Sequence, residues 1–238
     1  MAGDFSVAEG ITFGELVHAQ LHRSVVFERQ GWALERVDRV SSRLQAGRSV
    51  FDTLYVEVPW VEAITAFTLP GRYVYFGRRL LERCPDDETA AFVIGHEVAH
   101  HDLGHMALFP HWMGRAARRW GGLAVILAME GIERRLYGPE RECDADRHGL
   151  SLCITAGYDP HRCLRWFPIM EQIALDFGDQ SMVYGPSDSD QELSPEASFP
   201  TKARIWAWQR TRGYLPLQDR HAALKRYLET RNESTGPR

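Results

Sequence analysis

Cysteine is scarce in this chain, which has only four cysteines among its 238 residues: Cys84, Cys143, Cys153 and Cys163. They are scattered along the sequence, and no two of them form a CxxC pair. A disulfide scaffold normally needs more cysteines at closer spacing. We therefore predict that all four are reduced thiols.

Long apolar runs are also absent. The longest, residues 123 to 129, ends at Glu130 and is far shorter than the roughly 20 residues that a transmembrane helix needs. The first 20 residues contain three acidic side chains and no apolar segment, so they do not look like a secretory signal. We expect a cytoplasmic protein without a transmembrane segment, unless a targeting segment precedes this sequence.

Neither sign of charge is in strong excess, because 28 Lys and Arg nearly balance 32 Asp and Glu and leave a net charge of −4. This balance argues against a general nucleic-acid-binding protein, although the basic residues are concentrated near the C-terminus. The length and the hydrophobic content of 44% favour one globular unit with a sizeable core. The oligomeric state does not follow from these properties.

Hydrophobic spacing predicts two helices followed by a small sheet. Between residues 50 and 76 the sequence is rich in β-branched and aromatic residues and is divided by a Pro70-Gly71 turn, which predicts strands. Before this region, apolar residues recur three or four positions apart, as in helices. These helical positions are Phe13, Leu16, Val17 and Leu21, then Leu34, Val37, Val40 and Leu44.

The most informative segment is Gly95-His96-Glu97-Val98-Ala99-His100. On a helix, His96 and His100 lie on the same face one turn apart and can point at a single metal ion. Glu97 lies next to them and is suited to take a proton from a metal-bound water. The segment therefore has the side chains of a hydrolytic zinc site. It could also be a merely polar helix face, and the rest of the sequence must decide between the two interpretations.

The helix that carries this motif is predicted to begin at Pro85 and to run to about Gly104. Acidic residues after Pro85 favour the positive end of the helix dipole. Apolar residues cover much of its circumference, and buried ionisable groups are costly unless they are paired or metal-bound. Burial thus favours a metal-binding role for the motif. His101 and His105 are rotated away from the ligand face and are predicted to be structural or solvent-facing.

A catalytic zinc ion usually has three protein ligands and one water, so a third ligand is needed. The metzincin pattern would place a glycine and a histidine where this chain has Leu103 and Met106, which disfavours that class. A later helix, predicted to begin at Pro139, carries Glu142 and Asp146 on one face. One of these carboxylates can bind the ion while the other orients a ligand histidine.

The HExxH segment and the later Glu142-x-x-Ala145-Asp146 resemble the motifs of the M48 family of zinc metallopeptidases, the group of HtpX and the CAAX prenyl proteases. Two further segments are similar to the family. Residues 66 to 71 resemble its edge strand and turn before the zinc helix, and residues 156 to 160 resemble the segment after its ligand helix. The resemblance covers about residues 30 to 210.

This resemblance implies an α+β fold with a mainly helical, gluzincin-like core, a small antiparallel sheet and an edge strand beside the active-site helix. It also implies one Zn²⁺ ion per chain, a general base and a carboxylate that orients a ligand. The implied ligands are His96, His100 and Glu142, the base is Glu97, and the orienting carboxylate is Asp146. Asp144 and His148 are less favoured as the third ligand, because neither falls on the ligand position of the motif.

The chain departs from the family pattern at two places. Thr65 stands where the edge strand usually has Asn before Ala-Phe, and it offers a shorter hydrogen-bonding side chain. Ser198 stands where the family has a histidine that is expected to stabilise the oxyanion, six residues before Arg204. Ser198 itself, Tyr184 or Arg204 are the candidates for a replacement donor or a substrate contact.

We predict a single peptidase domain over residues 1–238, with a core at about 30–210 and an N-terminal helix within 1–30. The segment 178–199 is polar, acidic and rich in Ser, Pro and Gly, which is typical of a flexible loop. Its place just before the Arg204 segment leaves a role as a lid open. Residues 232–238 are predicted to form a disordered tail.

The leading functional hypothesis is a zinc-dependent endopeptidase that hydrolyses peptide bonds in unfolded or extended polypeptides through a metal-activated water, with Glu97 as general base. The alternative is a catalytically weak zinc-binding protein of the same fold, acting like a chaperone or binding a partner. Glu97 favours the first hypothesis, because a structural zinc site needs no base. The loss of the family histidine at Ser198 favours the second.

Overall fold

The computed structural model describes residues 7–48, 53–61, 64–108, 138–176 and 215–234. These ranges contain eight α-helices, one short 3₁₀ helix and three strands, so the predicted α+β class and the two N-terminal helices are confirmed. In chain order the elements are α1 (Val7–Ser24), α2 (Trp32–Ala46), β1 (Tyr55–Glu57), β2 (Ala66–Leu69), β3 (Tyr73–Phe76), α3 (Arg78–Arg83), α4 (Asp87–Asp102), the 3₁₀ helix (His105–Leu108), α5 (Gly138–Thr155), α6 (Pro160–Cys163), α7 (Trp166–Asp176) and α8 (Leu217–Ser234).

The three strands form a mixed sheet, so the prediction of an antiparallel sheet is wrong for one pair. The strand order is β1-β3-β2. β2 and β3 are antiparallel and joined by a tight turn in which Gly71 has a φ of +109°. β1 pairs parallel to β3 at the other edge. The chain forms β2 between β1 and β3, so no two-residue hairpin joins β1 to β3 and forces them to be antiparallel. Within the described residues β2 is an edge strand, and it packs against α4 as predicted.

Two apolar clusters hold these elements together. The larger one encloses α4 between α2, the sheet, α5, α7 and α8, and it includes Leu224 and Leu228 of α8. The smaller one packs α1 on the sheet through Phe13, Val17, Leu21, Phe27, Phe67, Leu69, Tyr75 and Met106. α8 continues to Ser234 and so includes residues 232 to 234, which were predicted to begin a disordered tail.

The start of α4 differs by two residues from the prediction. Pro85 was expected at the first helical position, but α4 begins at Asp87 and Asp86 caps it. The Asp86 carboxylate accepts hydrogen bonds from the backbone nitrogen of Thr89 at 3.0 Å and from its hydroxyl at 2.6 Å. This side-chain cap satisfies an otherwise free N–H group and fixes the point at which the helix begins.

All four cysteines are free thiols, as predicted. Three of them are buried, and Cys143 is partly exposed. Burial raises the pKa of Cys84 to about 12, so this thiol is neutral at pH 7. Among the helices of the described ranges, none combines the length and the apolar character needed to cross a membrane.

A buried ion pair joins the ends of α2 and α4. Arg48, just after α2, donates from Nε to both carboxylate oxygens of Asp102 at 3.2 Å, and the two side chains are 2% and 3% exposed. Nε2 of His148 in α5 lies 3.3 Å from the same carboxylate. Burial alone would raise the pKa of Asp102, but the hydrogen bonds from His148 and Arg48 outweigh it and lower that pKa.

Replacing Asp102 with alanine is expected to lower the free energy of unfolding by about 3 to 5 kcal/mol, because it leaves the buried Arg48 charge without its carboxylate. Urea denaturation measures this change. Asp144→Ala is the control, since Asp144 is exposed and its loss should cost under about 0.5 kcal/mol. In the wild type, the stabilisation from Asp102 should be complete above the ordinary pKa of aspartate and be lost as the pH falls through the lowered pKa. Equal stability of the two variants would refute this role of Asp102.

Candidate metal centre

Helices α4 and α5 pack closely because each has a glycine at their contact. A Cβ atom on Gly149 would lie 2.7 Å from the backbone nitrogen of His96, and one on Gly95 would lie 3.0 Å from the carbonyl oxygen of Gly149. A larger residue at Gly149 would therefore push the helices apart. The close contact brings the N-terminal half of α5 against the face of α4 that carries His96 and His100.

The three predicted ligands, His96, His100 and Glu142, lie together at this contact. The Nε2 atoms of the two histidines are 3.2 Å apart. Oxygens of Glu142 are 3.5 Å from Nε2 of His96 and 3.6 Å from Nε2 of His100. Ligand atoms at the corners of a tetrahedron around zinc are about 3.3 to 3.4 Å apart, given bonds of roughly 2.0 to 2.1 Å. The two ring nitrogens and the Glu142 carboxylate, with its Oε2 next to His96 and its Oε1 next to His100, thus lie at about the spacing that a single zinc ion requires.

Asp146 lies behind His96, on the side away from the ligand atoms. Its Oδ1 is 2.9 Å from Nδ1 of His96. The distance suits a hydrogen bond but the angle at the ring nitrogen is poor, so that Nδ1 is buried without a well-formed partner. A small rotation of the ring would complete the bond and fix the tautomer in which Nε2 is free to bind a metal. Of the two acids, Glu142 thus faces the ligand atoms and Asp146 faces the back of a ligand.

Arg220 of α8 pairs with both acids from the far side. Its Nε and one terminal nitrogen each lie 2.7 Å from an oxygen of Asp146, and the terminal nitrogen is 3.3 Å from Glu142. Burial alone would raise the pKa of Asp146, but Arg220 and His96 hold it well below its usual range. Asp146 is therefore a permanent carboxylate that can accept a hydrogen bond from His96.

The charges of the site favour a divalent cation. The carboxylates of Glu97, Glu142 and Asp146 carry three negative charges when ionised, and the guanidinium of Arg220 balances one of them. Burial would lower the pKa of His96, but Asp146 and Glu142 outweigh this effect and raise it. The same carboxylates that favour a proton on His96 would favour a metal cation beside it. The residues present therefore fit Zn²⁺ in donor type, spacing and charge.

His105 contacts the back of the second predicted ligand. Its Nδ1 is 2.9 Å from Nδ1 of His100, and both residues are buried. Burial lowers the pKa of His105, as it does that of His100, so both rings are neutral at pH 7. If Nε2 of His100 binds a metal, its Nδ1 carries the proton and donates it to Nδ1 of His105. The structural role predicted for His105 is therefore to accept this hydrogen bond and so to orient His100.

Glu97 lies one residue from His96 and is partly exposed. Burial raises its pKa to about 7, with Glu142 adding to the effect and His96 and Arg220 opposing it. A carboxylate with a pKa in this range can both accept and return a proton near neutral pH. Glu97 therefore has a basicity suited to proton transfer, while a bound cation would make it more acidic.

The remaining predicted site residues lie elsewhere or outside the described residues. Asp144 is exposed and pairs with Arg147, and His148 contacts Asp102, so neither joins the three ligands. His101 has the structural role expected of it, because it hydrogen-bonds Thr68 of β2. The carbonyl of Thr65 accepts a hydrogen bond from the backbone nitrogen of Gly77 at 2.9 Å. The candidate donors Tyr184, Ser198 and Arg204 and the acidic loop 178–199 fall in residues that the structure does not describe.

Replacing His105 with phenylalanine is expected to weaken zinc binding by about 10- to 100-fold, because Nδ1 of His100 would lose its acceptor. Competition with a coloured zinc chelator measures the Kd. His161→Phe is the control, because His161 is exposed on α6 and far from the ligands in the chain. A Kd for His105→Phe within about twofold of the wild type would show that His105 does not orient His100.

Sequence comparison identifies the family of the chain. A search among curated proteins finds no significant match to the chain. The profile of peptidase family M48 matches residues 28–201, which is well over half of the sequence and includes His96, Glu97, His100, Glu142 and Asp146. The chain therefore belongs to peptidase family M48.

Proposed function

We propose that this protein is a zinc-dependent endopeptidase that hydrolyses peptide bonds in unfolded or extended polypeptide segments. The observation that carries the proposal is the cluster of His96, His100 and Glu142, which adjoins Glu97 in the sequence. The Nε2 atoms of the histidines are 3.2 Å apart, and a different Glu142 oxygen lies 3.5 Å from the first and 3.6 Å from the second. When bound there, Zn²⁺ would supply a Lewis acid and lower the pKa of a bound water to about 7. Membership of a peptidase family agrees with this chemistry.

Glu97 carries out the proton transfers in this scheme. It accepts a proton from the attacking water as the oxygen bonds to the peptide carbon. It then returns the proton to the leaving nitrogen as the C–N bond breaks, which yields a carboxylic acid and an amine. His105, Asp146 and Arg220 do not touch the substrate in this scheme, because each contacts the site from behind a ligand. Their role is to hold the ligands in place.

The edge strand β2 is a reason to propose an extended substrate. β2 packs against α4, and within the described residues β3 is its only strand neighbour. An open strand edge binds an extended peptide through backbone hydrogen bonds, whatever the side chains of the peptide. In a folded protein most segments already have backbone partners, so few of them can pair with this edge without unfolding locally. This restriction would direct the enzyme to unfolded or flexible segments.

Digestion of an unfolded substrate and a folded one tests the proposal. Casein, which is unstructured, should be cut at internal peptide bonds, and a tightly folded protein of similar size should be cut far more slowly. Mass spectrometry of the new termini identifies the bonds. A zinc chelator should stop the reaction. Equal cleavage with and without the chelator would refute the proposal, and binding of casein without cleavage would favour the chaperone-like alternative.

A further inference from the structure

A second group of metal-binding side chains lies away from the centre described above. It consists of His18 and His22 of α1 and Glu57 of β1. The two histidines are four residues apart, so they lie on the same face of α1, as His96 and His100 do on α4. One ligand atom from each of the three residues lies within 4.8 Å of the other two. The donor set, two imidazoles and one carboxylate, equals that of the candidate metal centre.

Glu57 lies between the two histidines. Its Oε2 is 2.7 Å from Nε2 of His22 and 3.7 Å from Nδ1 of His18. The longer distance is near the roughly 3.4 Å that separates two ligands of a tetrahedral zinc ion. The shorter one is a hydrogen bond, so the carboxylate must move back by about 0.7 Å to admit an ion. The side chain of Glu57 is 27% exposed, which leaves it room for that movement.

Both imidazole rings are held by aromatic neighbours. His18 stacks on Tyr73 with ring centroids 3.9 Å apart, and His22 stacks on Phe27 at 4.1 Å. The hydroxyl of Tyr75 lies 3.0 Å from Nδ1 of His18, so an ion that binds this nitrogen must displace that hydrogen bond. Stacking restricts the rotation of the rings, so little side-chain entropy remains to be lost when an ion binds. The side chains are nevertheless 20% and 33% exposed, which gives an ion and a completing water access from solvent.

We propose that His18, His22 and Glu57 form a second metal site, which takes a divalent transition-metal ion such as Zn²⁺. Imidazole and carboxylate donors in this number are typical of zinc sites that keep a position for water. The site would cross-link α1 to β1 and so clamp the N-terminal helix onto the sheet. It lies on elements that do not carry Glu97, Glu142 or the α4 histidines, so the proposal does not depend on the proposed function.

Zinc content of the full-length chain tests this site. After equilibration with free zinc at micromolar concentration, the His22→Gln and Glu57→Gln variants should each hold one equivalent less than the wild type. Both should still cleave peptide as the wild type does, since neither residue touches the candidate metal centre. His161→Gln, which removes an exposed histidine on α6, should keep the wild-type stoichiometry.

Thermal unfolding provides a second readout. Zinc at about 100 times its Kd should raise the Tm of the Glu142→Ala variant by several degrees, because binding to the native state stabilises it. This rise should vanish when His22→Gln is added to Glu142→Ala. The same Tm rise in the double variant, or equal zinc content in His22→Gln and the wild type, would overturn the proposal. A loss of zinc from His161→Gln equal to that from His22→Gln would also overturn it, as non-specific binding to surface histidines.

Discussion

Replacing Glu97 with glutamine is expected to reduce peptide hydrolysis by at least about 100-fold while zinc content and stability change little. Glutamine has nearly the shape of glutamate but cannot accept the proton of the attacking water. Because Glu97 is not one of the three ligands, the metal should remain bound. Initial rates on an unstructured peptide and metal analysis of the same sample measure both effects.

Glu88→Gln is the matched control for this variant. Glu88 lies at the start of the same helix and pairs with Arg162 at 3.3 Å, away from the ligands. It should retain wild-type activity. Turnover of Glu97→Gln within a few fold of the wild type would remove Glu97 from the mechanism. A parallel loss of zinc would instead show that Glu97 is needed to hold the metal.

Replacing Glu142 with alanine is expected to abolish zinc binding at the candidate metal centre, because it removes one of three protein ligands. Asp146→Asn should weaken zinc binding by only about 10- to 100-fold, since Asp146 contacts the ligand His96 and is not itself one of the three ligands. Zinc titration of each variant measures the difference. Asp144→Asn, an exposed acid two residues from each, serves as the control and should bind zinc as the wild type does. Loss of zinc with Asp146→Asn but not with Glu142→Ala would show that the two roles are reversed.

The local parts of the site could be predicted from the sequence. His96 and His100, and likewise Glu142 and Asp146, are pairs spaced four apart on helices, and helix geometry alone places each pair on one face. The spacing alone could not predict which of the two acids faces the ligand nitrogens and which contacts the back of His96, because this depends on how α5 lies against α4. Gly95 and Gly149 set that contact.

The long-range parts could not be predicted in this way. Arg220 is 74 residues beyond Asp146 in a stretch rich in basic residues, and no local pattern distinguishes it from exposed arginines. The parallel pairing of β1 with β3 likewise depends on the edge of the sheet at which the chain places β2 after β1.

The contact of His105 with His100 could not be predicted from helix geometry, because His105 lies beyond the end of α4. The chain leaves the helix after Asp102 and turns at Gly104, which has a φ of +73°, and this turn brings His105 back.

The two functional hypotheses differ in what they require of this site. A chaperone-like protein needs the metal only for its fold and would tolerate a neutral residue at Glu97. A carboxylate at Glu97, adjacent in the sequence to one of three ligand residues that leave one tetrahedral position for water, is suited to proton transfer. We therefore favour the peptidase.

Zinc restoration of the stripped full-length protein tests the central claim most directly. Protein stripped of metal by a chelator should not cleave an unstructured peptide, and added zinc should restore cleavage. The Glu142→Ala variant, treated in the same way, should stay inactive. Cleavage by the stripped wild type, or restoration of Glu142→Ala to the wild-type rate, would contradict a hydrolytic zinc ion held by His96, His100 and Glu142.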